Sequence, residues 1–155
     1  MHYPTLQGLK ALVGQVIGTS EWIAIPQSRI QQFADATGDN QWIHIDPQRA
    51  ANGPFKTTVA HGFLTLSLLP RMMYDAYAID DLGMGVNYGL NRVRFPAPVP
   101  SGSRVRGVFK LLHFEPIDRG AQLTSEATIE LEGSAKPACV AESVSRLFIK
   151  HRLLS

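Results

Sequence analysis

The run Gly62-Phe63-Leu64-Thr65-Leu66-Ser67-Leu68-Leu69-Pro70-Arg71-Met72-Met73-Tyr74 decides the fold. It predicts a helix from about Gly62 to Tyr77 that is apolar almost all round, and such a helix is buried against other parts of its own chain. Pro70 falls inside it and should kink it or split it in two, because its ring removes a backbone donor and clashes with the preceding turn. After Gly83 the pattern turns to strands. Val93 and Phe95 alternate with Arg92 and Arg94, and further strands are expected over Arg104–Phe114, Ala121–Glu132 and Pro137–His151. Turn residues separate them at 96–102, 115–120 and 133–137. Strands with short connections pair antiparallel. An apolar helix followed by such strands implies a sheet curled around the helix, an α+β fold.

Upstream, Trp22-Ile23-Ala24-Ile25 reads as a short strand stopped by Pro26. From Ser28 to Thr37 the period becomes helical, with Ile30, Phe33, Ala34 and Thr37 on one face. Gly38 ends that helix and leaves Asp39 in the following loop. Pro47 opens another helical turn, reaching Asn52.

The chain has 155 residues, 45% hydrophobic and 18% charged, with a net charge of +2. It fits one domain spanning 1–155 with a real core, and it is not disordered. The charge is too small, and the basic residues too scattered, for nucleic acid to be the main partner. The N-terminal region carries neither a signal-peptide pattern nor a membrane span. Cys139 is the single cysteine. It reads as a small core residue of a strand, and the lack of an intrachain disulfide suits a cytoplasmic protein.

Chemistry concentrates in Thr37-Gly38-Asp39-Asn40-Gln41-Trp42-Ile43-His44-Ile45-Asp46 and Val59-Ala60-His61-Gly62-Phe63. The first stretch reads as a Gly-containing loop with a carboxylate and an imidazole five positions apart. Such a pair can share a water and move its protons. On spacing alone, Asp39 as a loop cap and His44 as a bonded core histidine explain the pattern better. Gly62 sits at a helix start, where unpaired N–H groups can hold an oxygen that gains charge. His44, Asp46 and His61 lack the spacing of a zinc motif, so no metal is expected. Ser67 is a helix hydroxyl, a type that usually bonds back to its own backbone. Arg92, Arg94, Arg104 and Arg106 alternate on two strands read as neighbours. They suit either a solvated face or the phosphates of a bulky anionic carrier. Gly83 and Gly85 lack the strand–helix context of a dinucleotide site.

Three blocks, in order, resemble the MaoC-like dehydratases, in the branch close to the nodulation protein N-like proteins. The hydratase signature is matched by Phe33 to His44 and on to Ala50, the second block by Val59 to Leu68, and the third by Val86 to Val99. The resemblance implies a hot-dog fold, a homodimer and (R)-specific enoyl-CoA hydratase activity. Asp39 and His44 match the catalytic pair and Gly62 the oxyanion N–H. His61 and Ser67 are taken with Gly62 as candidate substrate-binding residues. Arg92 and Arg94 are candidates for CoA phosphate contacts. The substrate would be an acyl-CoA or acyl-carrier thioester, with no cofactor. Gln41-Trp42 departs from the family's usual Asn-Pro, and Pro70 stands where some hydratases have a serine. A hot-dog thioesterase and a non-catalytic acyl-thioester binding protein are the alternatives.

Overall fold

The computed structural model describes residues 1–150. The chain opens with β1 (His2–Tyr3), a 3-10 helix (Gln7–Leu12), β2 (Val16–Thr19) and β3 (Ile23–Ile25). Three helices follow, α1 (Gln27–Thr37), α2 (Trp42–Ile45) and α3 (Pro47–Ala51). The apolar run forms α4 (Gly62–Ser67) and α5 (Leu69–Ala76). After β4 (Ala78–Ile79) come four long strands: β5 (Leu82–Arg94), β6 (Ser103–Ile117), β7 (Gly120–Leu131) and β8 (Cys139–Ile149). The strand expected to reach His151 ends that expectation outside the described residues.

The main sheet runs β2-β6-β7-β8-β5, with β3 also on β6, and every pairing in it is antiparallel. α5 packs on β2 and β6. Two close approaches allow this. A Cβ on Gly18 would lie 2.7 Å from the Ala76 carbonyl oxygen, and one on Gly107 would lie 3.0 Å from Cβ of Met72. Met72 and Phe109 meet over Gly107 and are fully buried, each stabilising the fold by roughly 1.5–3 kcal/mol. Cys139 lies in this core and burial pushes its thiol up to about 11, as suits a packing residue.

The proline splits the central helix, since α5 starts at Leu69 with Pro70 in its first turn. Two expectations need correction. The helix is not covered all round: Leu64, Thr65, Leu69, Met72 and Ala76 are buried, but Phe63 is 70% exposed and Tyr74 is also open. The sheet covers α5 from β2 and β6 and meets α4 from β8, and it leaves Phe63 and Tyr74 in the open. The arginine pairs are not on neighbouring strands either, because β7 and β8 lie between β6 and β5.

Candidate active site

α1 delivers the site. Its last turn closes at Gly38, whose φ of 80° is left-handed and whose N–H donates to the Ala34 carbonyl. The chain therefore turns sharply and leaves Asp39 exposed at the bend. The Asp39 carboxylate is only lightly held, through a long 3.4 Å contact from the Gln41 N–H. His44 does not belong to the same loop, as its sequence context suggested, but lies on the one-turn helix α2. Asp46 caps α3 by accepting from the Arg49 N–H at 3.0 Å, so its carboxylate is taken.

His44 is 7% exposed and firmly placed. Its Nδ1 lies 2.6 Å from the Val59 carbonyl oxygen. A carbonyl can only accept, so Nδ1 carries the proton and the neutral ring presents a lone pair at Nε2. The backbone is fixed as well. Gln27 donates from Nε2 to the His44 carbonyl, and its Oε1 accepts from the Thr58 hydroxyl. The Val59 N–H donates to the Ile43 carbonyl, which lays the second block of sequence alongside α2. Burial lowers the pKa of His44, the Val59 bond opposes this, and the neighbouring His61 adds to the lowering.

His61 is 2% exposed and stacks on His44, with centroids 3.8 Å apart and planes at 22°. Its Nε2 lies 3.0 Å from the Asp39 carbonyl oxygen. The Phe33 ring lies against that of His61, tilted by 55° with 4.9 Å between centroids. A carboxylate oxygen of Asp39 and ring nitrogens of the two histidines all lie within 4.8 Å of one another. No direct ion pair joins Asp39 to either ring among the described residues. One water with two hydrogen bonds spans about 4.6 Å, so a gap of this order can be bridged by a single water. Lone pairs of stacked rings run side by side rather than to one point. A tetrahedral ion would require one ring to turn.

Gly62 opens α4 and its N–H has no intrahelical acceptor. A Cβ there would press on the Phe95 ring at 3.1 Å, so the position is held bare.

A family model for the MaoC like domain matches residues 9–132. The chain belongs to the MaoC-like dehydratase family. This MaoC-like chain is 54% identical over 145 residues to the 3-hydroxyacyl-thioester dehydratase Z of Mycobacterium tuberculosis, covering 93% of this chain and 96% of that one. It is 47% identical over 150 residues to nodulation protein N of Rhizobium leguminosarum bv. viciae, covering 94% and 92%. The solved structure of a monoamine oxidase regulatory protein from Archaeoglobus fulgidus has the same fold, with a TM-score of 0.76 at 18% identity over 97% of both chains. The fold is the hot-dog of the MaoC-like proteins, as expected.

The remaining candidates lie apart from the histidine stack. The Ser67 hydroxyl donates to the Leu64 carbonyl at 2.8 Å. Ser67 borders a cavity of about 330 Å³ with Leu66, Leu69, Met73 and Asn87. Arg92 and Arg94 are exposed on β5, and Arg94 turns back to the Val93 carbonyl. Arg104 and Arg106 are paired with Glu132 and Glu130. Of the basic residues first considered together, only Arg92 and Arg94 are without a carboxylate ion pair among the described residues. Sequence reading missed Gln27 and Thr58, which hold His44 by its carbonyl. No local pattern signals a bond between residues 17 apart. Among the described residues no helix is long and apolar enough to cross a membrane.

Proposed function

We propose that this MaoC-like chain is a hydratase/dehydratase that adds water reversibly to trans-2-enoyl thioesters, giving (R)-3-hydroxyacyl thioesters. One observation carries the reading: the Val59 bond leaves His44 Nε2 as an acceptor, on a ring that has a nitrogen within 4.8 Å of an Asp39 carboxylate oxygen, a gap that one water can bridge. Two acceptors facing one water can orient it and take its proton. Water oxygen bonds to C3 as its O–H bond breaks, and the electron pair of the double bond moves toward the thioester. The Gly62 N–H meets the carbonyl oxygen as enolate-like charge builds there, and one such donor can be worth about 3 kcal/mol in the barrier. The proton taken by the Asp39–His44 pair is returned to C2, so the pair ends as it began.

Names of relatives support this reading in kind, since the M. tuberculosis protein is called a 3-hydroxyacyl-thioester dehydratase. The substrate carrier is CoA or an acyl-carrier protein, with Arg92 and Arg94 for its phosphates. A second copy of the chain pairs along β5, an edge strand exposed over nearly all of its 13 residues, with Met84, Val86, Tyr88 and Leu90 in the open. The decisive experiment follows the fall in enoyl-thioester absorbance with crotonyl-CoA and traps the product with stereospecific 3-hydroxyacyl-CoA dehydrogenases. Asp39→Asn is expected to abolish turnover. Turnover near the wild-type level in that variant would remove the proposed site.

A further inference from the structure

We infer that His61 is a positioning residue: a neutral imidazole that fixes the plane of His44 by stacking and the loop of Asp39 through its backbone carbonyl, without touching the substrate. This rests on the hydratase reading of the Asp39–His44 pair and gives a part to a histidine that the pair's own chemistry does not use.

The tautomer follows from the contacts. The Asp39 carbonyl can only accept, so His61 Nε2 carries the proton. His61 Nδ1 is buried and has no hydrogen-bond partner. An imidazolium there would leave a buried N–H unpaired beside the rings of His44 and Phe33, so the ring is neutral. Folded proteins rarely keep a buried polar atom without a partner, and a nitrogen kept so asks for a reason. A phenylalanine could fill the same space, but it could not hold the Asp39 carbonyl. A glutamine could hold the carbonyl, but it has no face to stack. Only a flat ring with one N–H meets both needs.

The titratable groups facing His61 are His44 on α2 and Asp39 at the bend, while α1 contributes the uncharged Phe33. His61 therefore joins the two members of the pair, which come from different elements. Reacting groups held out of place by about 1 Å can lose on the order of 10²-fold in rate, and that is the scale expected of its removal.

The test combines kinetics with histidine NMR. His61→Ala should lower kcat on the order of 10²-fold with KM within about twofold, and His61→Gln should recover part of the loss. In the Ala variant the His44 ring, assigned by its absence in His44→Asn, loses the ring that covers one face, so it is less buried and should take up its proton at higher pH. A raised KM with kcat unchanged would overturn the inference, because His61 would then be binding substrate. Unchanged kinetics with an unchanged His44 titration would overturn it too. If the Ala variant fails to fold, nitrogen NMR of the wild-type protein decides. A His61 ring protonated at Nε2 supports the inference and one protonated at Nδ1 overturns it. The NMR readouts need no turnover, so a wild-type protein that hydrates nothing would fail the hydratase reading while His61 is still judged by its tautomer.

Discussion

The histidine stack and the β5 edge are opposites within one chain. Around His44 the ring Nδ1, the backbone carbonyl and one ring face have partners supplied by α1 and residues 58–61. Along β5 one edge pairs with β8, while the other has no strand partner among the described residues, and the strand exposes apolar side chains. The first region is finished by the chain alone, whereas the second has the character of a surface awaiting a cover. Proton chemistry demands fixed geometry, so its groups are locked from within. Binding a long apolar substrate, or a second copy, demands an open surface.

The largest effect should come from breaking the locked region. His44→Asn keeps a side chain able to donate to the Val59 carbonyl but removes the Nε2 acceptor. Hydration of crotonyl-CoA should fall by roughly 10²–10⁴-fold, with thermal stability near that of the wild type. A variant that keeps a tenth of the activity would show that Asp39 works without it.

The converse change sharpens the contrast at the edge. Replacing both Val86 and Leu90 by Lys places charges on the exposed strand and should prevent pairing with a second copy. Light scattering should then report half the wild-type mass, while the His44 and His61 NMR signals keep their wild-type tautomers. An unchanged mass would mean that copies meet elsewhere or not at all.

These two regions were unequally legible in the sequence. Signals confined to a few neighbouring residues could be read: Gly38 closing α1, Pro70 dividing the apolar run, and the alternation in β6, β7 and β8. β5 was recognised only from Arg92 onward because Gly83, Gly85 and Gly89 dilute its pattern, and no face of it is buried to impose an alternation. α2 was missed since four residues are too few to show a helical period. The stack of His44 on His61 spans 17 positions and depends on how the Val59–His61 segment docks beside α2, which local sequence does not encode. The resemblance to MaoC-like proteins pointed to Asp39 and His44. It did not reveal the bonds that hold them.

Titration offers a milder probe of the locked region. Burial keeps the His44 pKa below the usual histidine value, so the unfolded chain binds that proton more readily than the folded one. Its contribution to stability is therefore complete above about pH 6.5 and is lost as the pH falls from there through the depressed folded value. The same depression keeps Nε2 unprotonated for catalysis below pH 6.5. The acid limb of kcat/KM should fall at lower pH than an ordinary histidine would give, and thermal unfolding should decline over the same window. His44→Asn should flatten that decline. An acid limb above pH 6.5 would mean that another group controls it.

Ser67 lies between the two regions and should give the smallest effect. Its hydroxyl hydrogen is committed to the Leu64 carbonyl, yet the oxygen keeps its lone pairs for a partner in the cavity beside Leu66 and Met73. A serine in this state can accept from an amide N–H of a carrier arm and can donate nothing without giving up its helix bond. Ser67→Ala removes one neutral hydrogen bond to substrate, worth about 1 kcal/mol, or roughly fivefold in KM. Unfolding should change little, because the lost back-bond is offset by the better helix propensity of alanine. A fall in kcat with KM unchanged would instead place the hydroxyl at the reacting atoms, joining Ser67 to the locked region.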